Sequence, residues 1–202
     1  MLPVRPTCIF KIVRAKDFLQ SKMETLDAVR ARLRSDEPPI GKLRRASVAV
    51  TLRVTEELSV LLIKRADRVG DPWSGQVAFP GGKEQEGDGT LKETAIREAR
   101  EEVGIDLVAG ADFLGYFVPF RTHTGTLDVV PAVFLLRSDA EVRPNEEVSS
   151  YRWVAVGKMM DERSMSTQRV QAGGQVRELP AFTVDGYFVW GLTHRIICSL
   201  FA

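Results

Sequence analysis

Cysteine and histidine are scarce in this chain of 202 residues. There are two cysteines, Cys8 and Cys198, and two histidines. Two cysteines at opposite ends of the chain cannot form a disulfide framework or a cysteine-based zinc site. They are expected to be small buried hydrophobic residues in a reducing compartment. The sequence also contains no internal repeat and no low-complexity tract.

Long hydrophobic runs and a dominant charge are also missing. No apolar run approaches the roughly 20 residues of a membrane-spanning helix, and charged residues interrupt the N-terminal segment where a signal peptide needs an apolar stretch. These absences predict a cytoplasmic protein with no membrane partner. The 28 Lys/Arg and 27 Asp/Glu residues leave a net charge of +1. No nucleic-acid partner is expected, because residues 47–202 carry more acidic than basic side chains.

What the chain does contain is enough apolar material for a sizeable core, at 44% hydrophobic residues. Helix and strand patterns alternate, and hairpins connect most of the strands, which predicts an α+β domain. Residues 1–42 are predicted to be a helical extension packed on a main domain of residues 43–202. Pro131 predicts an edge or kinked strand. Strands are predicted at 47–54, 58–65, 113–120, 127–137 and 148–156, a hairpin at 181–190, and helices at 25–34, 91–104 and 191–201.

The most regular helical pattern is LKETAIREAREEVG, residues 91–104. Glu101 and Glu102 follow Glu98 by three and four positions, so the three carboxylates fall on one helix face. Binding of Mg²⁺ or Mn²⁺ would relieve their mutual repulsion, because hard cations prefer carboxylate oxygens. Arg97 can reach Glu101 one turn later and fix its orientation. The same pattern is also typical of a solvated helix with ion pairs along its face. The sequence that flanks the helix is therefore needed to choose between the two interpretations.

The segment that contains this helix resembles a known sequence motif. The segment GGKEQEGDGTLKETAIREAREEVGI, residues 81–105, resembles the Nudix box. This motif is a glycine, five residues, a glutamate, seven residues, and then R-E-apolar-x-E-E-x-G-apolar. The second half matches from Arg97 onward. The first half departs from the motif, because Arg97 lies one residue too far from Gly82. The first glutamate of the motif falls nearest to Asp88, and Glu86 is the alternative.

Flanking segments are similar to the coenzyme A pyrophosphatase branch of the same superfamily. In that branch a leucine pair, an arginine and a small residue precede a spaced glycine and FPGG. Ile63 and Gly70 stand where its signature favours threonine and arginine, and the DPWSG spacer (71–75) is longer than usual. The segments that carry the similarity are RRASVAV (44–50), LLIKRA (61–66), FPGG (79–82), NEEV (145–148) and WGLT (190–193).

The resemblance implies a Nudix-like α/β/α sandwich with a mixed, mostly hairpin-connected sheet in residues 43–202. It also implies a pyrophosphatase that uses Mg²⁺ or Mn²⁺ to cleave a nucleoside diphosphate linked to another group. The implied substrate is coenzyme A or its thioesters, giving 3′,5′-ADP and a 4′-phosphopantetheine product. The alternatives are hydrolysis of ADP-ribose, other nucleotide sugars or damaged nucleotides, and a catalytically silent nucleotide-binding module. A homo-oligomer is compatible with the sequence.

The resemblance also assigns roles to the acidic residues. Glu98, Glu101 and Glu102 are the expected metal ligands, and Arg97 is expected to orient them. A carboxylate must accept the proton of the attacking water. Glu102 is the first candidate for this general base, and Glu147 is the alternative.

Five further residues are predicted to contact the substrate. A guanidinium suits phosphate oxygens, so Arg65 is a candidate phosphate clamp, although a surface arginine at a strand end fits equally well. Gly81 and Gly82 permit close approach of the backbone to a bound group. Trp73 and Phe79 flank the glycine loop and offer rings for stacking on adenine, with core packing as the alternative. The basic N-terminal segment is a further candidate, for contact with a 3′-phosphate.

Overall fold

The structure is a computed structural model that describes residues 18–39, 41, 43–70, 73–172 and 175–202. Residues 1–17, which include Cys8 and the first part of the basic N-terminal segment, lie outside the described residues. The helices are α1 (Phe18–Arg32), α2 (Leu91–Val103), α3 (Leu107–Gly110), α4 (Val156–Met159) and α5 (Gly191–Phe201). None of the described helices is long and apolar enough to cross a membrane.

The strands fall into two sheets. They are β1 (Arg44–Val54), β2 (Leu58–Arg65), β3 (Val77–Ala78), β4 (Gly81–Lys83), β5 (Ala111–Tyr116), β6 (Phe120–Arg121), β7 (Leu127–Leu136), β8 (Val148–Ala155), β9 (Met165–Ala172), β10 (Gln175–Val184) and β11 (Tyr187–Trp190). In the part of the chain that is described, β1 to β8 form one sheet in which β3, β2, β1, β7 and β5 are successive neighbours. The strands β9, β10 and β11 form the second sheet. The β1–β7 pair is parallel and its neighbours pair antiparallel, which confirms the predicted mixed sheet.

Helices cover both faces of the large sheet. Successive residues of a strand point to opposite faces, and the core divides accordingly into two clusters. Val50 and Leu52 of β1 pack with α1, α5 and the small sheet on one face. Ala49 and, from β2, Leu61 and Ile63 pack with α2 and α3 on the other face. This layering confirms the predicted α+β sandwich.

The edge position, one of the two alternatives predicted for the strand around Pro131, was wrong. The strand β7 is internal, with β1 on one side and β5 and β6 on the other. The backbone N–H of Phe117 donates to the carbonyl of Pro131. Because the N–H and C=O of a strand residue point to the same side, the missing N–H of Pro131 faces the break between β5 and β6. No ladder hydrogen bond is lost there.

Two other predicted elements differ in extent. The predicted strand 113–120 is divided into β5 and β6, after a register shift between Phe113 and Gly115, whose φ of 138° favours glycine. The helix predicted at 25–34 begins earlier, at Phe18. The long β9–β10 hairpin was not predicted.

The buried hydroxyl of Thr51 leads to a stability prediction. Thr51 is fully buried, and its Oγ1 has no hydrogen-bond partner among the described residues. An unsatisfied buried hydroxyl is costly, so Thr51→Val is expected to raise the free energy of unfolding by about 1 kcal/mol. Urea unfolding measures this change in the free energy of unfolding.

The matched variant is Ser47→Ala on the same strand. The Ser47 hydroxyl donates to the carbonyl of Val130 at 3.0 Å, so this change is expected to destabilise by about 1 kcal/mol. A loss of stability in Thr51→Val would contradict the prediction.

Candidate active site

The helix α2 is defined at both ends by local chemistry. The Thr90 side chain accepts a hydrogen bond from the Glu93 N–H at the N-terminus. Gly104, with a φ of 69°, ends the helix, and its N–H bonds to the carbonyls of Ala99 and Arg100. The buried stripe Leu91, Ala95, Ala99 and Val103 packs on the sheet. These features confirm the helix predicted at 91–104 and show that Gly104 ends it.

The glycine pair of FPGG allows this helix to lie close to the sheet. Gly81 and Gly82 belong to β4, which pairs with β1. A Cβ on Gly81 would lie 2.6 Å from the carbonyl oxygen of Ser47 and 2.7 Å from the Cα of Val48. A Cβ on Gly82 would instead lie 2.2 Å from Oε1 of Glu98. Gly81 is therefore required by strand packing, and Gly82 makes room for a carboxylate.

The Glu102 carboxylate is buried beside these glycines. The residue is 3% exposed, and its Oε2 accepts a hydrogen bond from the Gly81 N–H at 2.9 Å. The Arg65 guanidinium lies 3.9 Å from Oε1. Burial raises the pKa of the Glu102 carboxyl from 4.5 to about 7, against the lowering effect of the Gly81 hydrogen bond. A buried carboxylate with so few donors favours a bound cation as counter-charge.

The Glu98 carboxylate lies one turn earlier and is also mostly buried. Its Oε1 accepts a hydrogen bond from Nη1 of Arg97 at 2.8 Å. Burial raises the pKa of the Glu98 carboxyl, and the Arg97 guanidinium opposes that rise. The Glu98 charge is in turn one of the causes that raise the pKa of Glu102. The two carboxylates therefore share one electrostatic environment at the glycine pair.

Arg97 links the carboxylates to the connection between β4 and α2. Its Nε and Nη2 donate to the two carboxylate oxygens of Asp88 at 3.1 and 3.0 Å. Its Nη1 also donates to Glu101 at 3.1 Å, and Nη2 donates to the carbonyl of Lys83. The Arg97 guanidinium holds the pKa of the Asp88 carboxyl below its usual range. Of the two candidates for the first acidic residue of the motif, Asp88 is the one that pairs with Arg97, and Glu86 is exposed to solvent.

This geometry leads to a prediction for Asp88. Asp88→Asn places an amide donor against the guanidinium and removes a charge-assisted bidentate pair. It is expected to lower kcat about 10-fold, because Arg97 no longer holds Glu98 and Glu101 in place. Steady-state kinetics measure the effect, and Glu86→Gln is the matched control with unchanged kcat. Equal losses in the two variants would contradict the assignment of Asp88.

Glu101 differs from the other two predicted metal ligands. Its side chain is 53% exposed and accepts a hydrogen bond from Arg97. Within the described ranges, no group of three or more His, Cys, Asp or Glu side chains is arranged to hold a metal ion. Glu101 is thus the most exposed of the three carboxylates, and Nη1 of Arg97 joins it to Glu98. The ligand set of three carboxylates stays a prediction.

Two predicted residues lie at the edge of the buried carboxylates. Arg65 is the last residue of β2, at a bulge that shifts the register with β8 between Lys64 and Arg65. Such bulges redirect side chains, and Arg65 is directed toward Glu102. Glu147 is more exposed, and its Oε1 accepts from Nη1 of Arg68 at 3.1 Å. Its charge is a smaller cause of the raised pKa of Glu102.

The two predicted stacking residues have different surroundings. Phe79 is 3% exposed and packs in the core cluster on the face of α1 and α5. This burial favours the alternative of core packing over stacking on adenine, because the Phe79 side chain fills the space between sheet and helices. Trp73 is 50% exposed in the loop before β3. Its contact with a substrate stays a prediction.

Sequence reasoning missed Asn145. Its N–H donates to the carbonyl of Glu102 at 3.0 Å, and its Oδ1 accepts from the Glu147 N–H at 2.8 Å. Asn145 thereby ties the loop of Glu147 to the end of α2. An asparagine two residues before the bonded N–H is a signal for such a turn, but the partner on α2 cannot be read from it.

Comparison with known proteins identifies the family. A model of the NUDIX domain matches residues 42–171. The Yersinia enterocolitica protein named "Uncharacterized Nudix hydrolase NudL" is 30% identical over 188 residues, which cover 91% of this chain and 95% of that protein. Among solved structures, a MutT/nudix family protein from Enterococcus faecalis has a TM-score of 0.49 at 18% identity, covering 92% of this chain and 67% of its own. A C. elegans Ap4A hydrolase has a TM-score of 0.48 at 18% identity, covering 57% and 82%.

The domain match includes both glycines, the acidic helix and the loop of Glu147. It covers more than half of the chain, and the Yersinia relative covers nearly all of it. The chain therefore belongs to the Nudix hydrolase family, whose reaction is the hydrolysis of nucleoside diphosphate derivatives.

Proposed function

We propose that this Nudix hydrolase is a pyrophosphatase that uses Mg²⁺ or Mn²⁺ and acts on coenzyme A or its thioesters. The products are 3′,5′-ADP and a 4′-phosphopantetheine compound. The similarity of LLIKRA, FPGG and the other flanking segments to the coenzyme A pyrophosphatase branch supports this substrate. A cytoplasmic location and action on a small molecule are part of the proposal.

The observation that carries the chemistry is the pair of buried carboxylates at the glycine pair. Nudix hydrolases generally use divalent metal ions, and the donor set here fits such an ion. Glu98 and Glu102 provide hard oxygen ligands whose charged forms burial disfavours, and the missing side chain of Gly82 leaves the space that the Glu98 carboxylate occupies. We assign both as principal ligands and Glu101 as an additional ligand. When bound, the ion lowers the pKa of the attacking water and neutralises charge on the diphosphate oxygens.

The remaining roles belong to side chains around this pair. We assign Glu102 as the carboxylate that accepts the proton of the attacking water. Glu147 is the alternative base from the neighbouring loop. Arg97 holds Glu98 and Glu101 in a fixed geometry, and Arg65 binds a phosphate oxygen. We assign the exposed Trp73 a stacking contact with the adenine, and the backbone of Gly81 and Gly82 a contact with the diphosphate.

A substrate panel tests this function. The protein is incubated with Mg²⁺ or Mn²⁺ and with coenzyme A, an acyl-coenzyme A, ADP-ribose, dinucleoside polyphosphates or oxidised nucleoside triphosphates, and mass spectrometry identifies the products. Release of 3′,5′-ADP from coenzyme A is the expected result. Cleavage of ADP-ribose with coenzyme A untouched would overturn the substrate while leaving the reaction class. Absence of cleavage with any metal would favour the nucleotide-binding module.

A further inference from the structure

The short segment between α1 and β1 is fixed on the domain, although it precedes nearly all of the residues that match the NUDIX domain model. Arg34 forms an isolated bridge with Tyr116 of β5, with N–H to carbonyl distances of 2.9 and 2.8 Å. A Cβ on Gly115 would lie 2.7 Å from the carbonyl oxygen of Arg34. The lack of a side chain at Gly115 thus lets the segment lie against β5. The segment places Glu37 next to the start of α2.

Glu37 binds the first turn of α2 directly. Its Oε2 accepts the backbone N–H of Leu91 at 2.7 Å and the Tyr116 hydroxyl at 3.3 Å. The Tyr116 oxygen in turn accepts the N–H of Lys92. The first N–H groups of a helix have no partner within the helix, and a carboxylate there also interacts favourably with the helix dipole. Glu37 therefore fixes an end of α2 that the Nudix box secures only in part, through Thr90.

Glu37 also acts on the connection between β4 and α2. Its Oε1 accepts from Nη1 of Arg45 at 2.7 Å. The same guanidinium forms two hydrogen bonds with the carboxylate of Glu84, one of them from Nε at 2.9 Å. Glu84 opens the connection that carries Asp88, the partner of Arg97. One side chain from outside the matched domain thus restrains both the helix and the connection before it.

We propose that Glu37 is a positioning residue for the metal site of this enzyme. This inference rests on the proposed assignment of Glu98 and Glu102 as metal ligands. Leu91 and Glu98 are seven positions apart, which is two turns of helix on the same face and about 10 Å along the axis. A helix transmits a shift of its first turn as a rigid body. Loosening the start of α2 therefore moves the Glu98 carboxylate relative to Gly82.

The experiment measures metal binding by the full-length protein without substrate, together with kinetics on the substrate that the panel identifies. Mn²⁺ affinity is measured by electron paramagnetic resonance for wild type, Glu37→Ala, Glu37→Gln and the matched control Asp36→Asn, whose side chain is exposed. Glu37→Ala is expected to weaken Mn²⁺ binding about 10-fold and to lower kcat, with little change in KM for the substrate. Glu37→Gln retains one acceptor and is expected to recover part of the loss, whereas Asp36→Asn is expected to keep the wild-type Mn²⁺ affinity and kcat.

The outcomes separate positioning from simple stability. Wild-type Mn²⁺ affinity in both Glu37 variants, with a lower Tm, would overturn the proposal and leave Glu37 a structural residue. If Glu37→Ala does not fold, Glu37→Gln decides by the same criterion. Failure of the wild-type protein to cleave any member of the panel overturns the proposed function, whereas the Mn²⁺ affinities still decide the role of Glu37. Failure of the wild-type protein to bind Mn²⁺ overturns the positioning role itself.

Discussion

Replacing Glu102 by Gln is expected to lower kcat by about 10²–10⁴ and to make the metal-free protein more stable at alkaline pH. The variant keeps the shape of the side chain and an oxygen for the Gly81 N–H. It removes the charge that binds metal and the group that accepts a proton. The loss of activity and the gain in stability have one cause, because Glu102 is a buried carboxylate without a full set of partners.

The pH dependence follows from the raised pKa of Glu102. The carboxyl has a pKa of about 7 in the folded protein and 4.5 as its ordinary value. The folded state therefore holds the proton more tightly, and stability falls as the pH rises from 4.5 through 7. At pH 8 the free energy of unfolding of the wild-type protein is about 3 kcal/mol lower, because of this group, than at a pH well below 4.5. Glu102→Gln is expected to avoid most of that loss at pH 8, because glutamine carries no charge to bury. Loss of the weak interaction with Arg65 reduces the gain slightly.

Urea unfolding in a chelating buffer at pH 5 and pH 8 measures this effect. The difference between variant and wild type should be small at pH 5 and large at pH 8. Glu101→Gln is the control, because its side chain is half exposed and its charge meets little desolvation. Unchanged turnover in Glu102→Gln would remove Glu102 from the catalytic and metal-binding roles. Equal stability of variant and wild type at pH 8 would show that Glu102 is not destabilising when charged.

Gly82→Ala is expected to lower kcat about 100-fold while leaving a folded protein. The added Cβ would lie 2.2 Å from Oε1 of Glu98. Glu98 has a flexible side chain, so it moves away and the fold is kept. The carboxylate then leaves the position beside Glu102, and metal affinity falls with it. Mn²⁺ binding and kcat measure the loss, and circular dichroism verifies the fold.

Gly81→Ala is the matched variant with the opposite expected result. Its Cβ would collide with the backbone of Ser47 and Val48, which cannot move without opening the β1–β4 pair. Overpacking of this kind costs about 3 kcal/mol, and Tm is expected to fall sharply. Wild-type activity in Gly82→Ala, or a greater loss of Tm in Gly82→Ala than in Gly81→Ala, would contradict the division of roles between the glycines.

The sequence predicts well the parts of the fold that depend on local signals. The helix α2 has an apolar stripe and a glycine stop, and the hairpin at 181–190 has its turn at Asp185 and Gly186, which have positive φ. The position of β7 was predicted wrongly. A proline excludes a strand from the sheet interior only where its missing N–H would face a partner, and that depends on the distant break between β5 and β6.

The candidate site also has features that local sequence predicts and features that depend on distant residues. Helical spacing is enough to place Glu98 and Glu102 on one face. It does not show which carboxylate is buried, since that depends on Gly81 and Gly82 in the neighbouring strand. The sequence places Asp88 nearest to the first glutamate of the motif, but it does not predict the ion pair of Asp88 with Arg97. The sequence gives no indication of the role of Glu37. Its partner Leu91 lies 54 positions away and carries no polar side chain that could mark the contact.

The parallel ladder between β1 and β7 has a consequence for synthesis of the chain. Ser47 of β1 and Val130 of β7 are paired in this ladder, although 83 positions separate them. A nascent chain that has not yet released residue 127 from the ribosome leaves one edge of β1 open, and open strand edges attract other chains. Closure of so long a loop is slow compared with hairpin formation. Truncated products that end before β7 are therefore expected to aggregate, and full assembly waits until most of the chain has emerged.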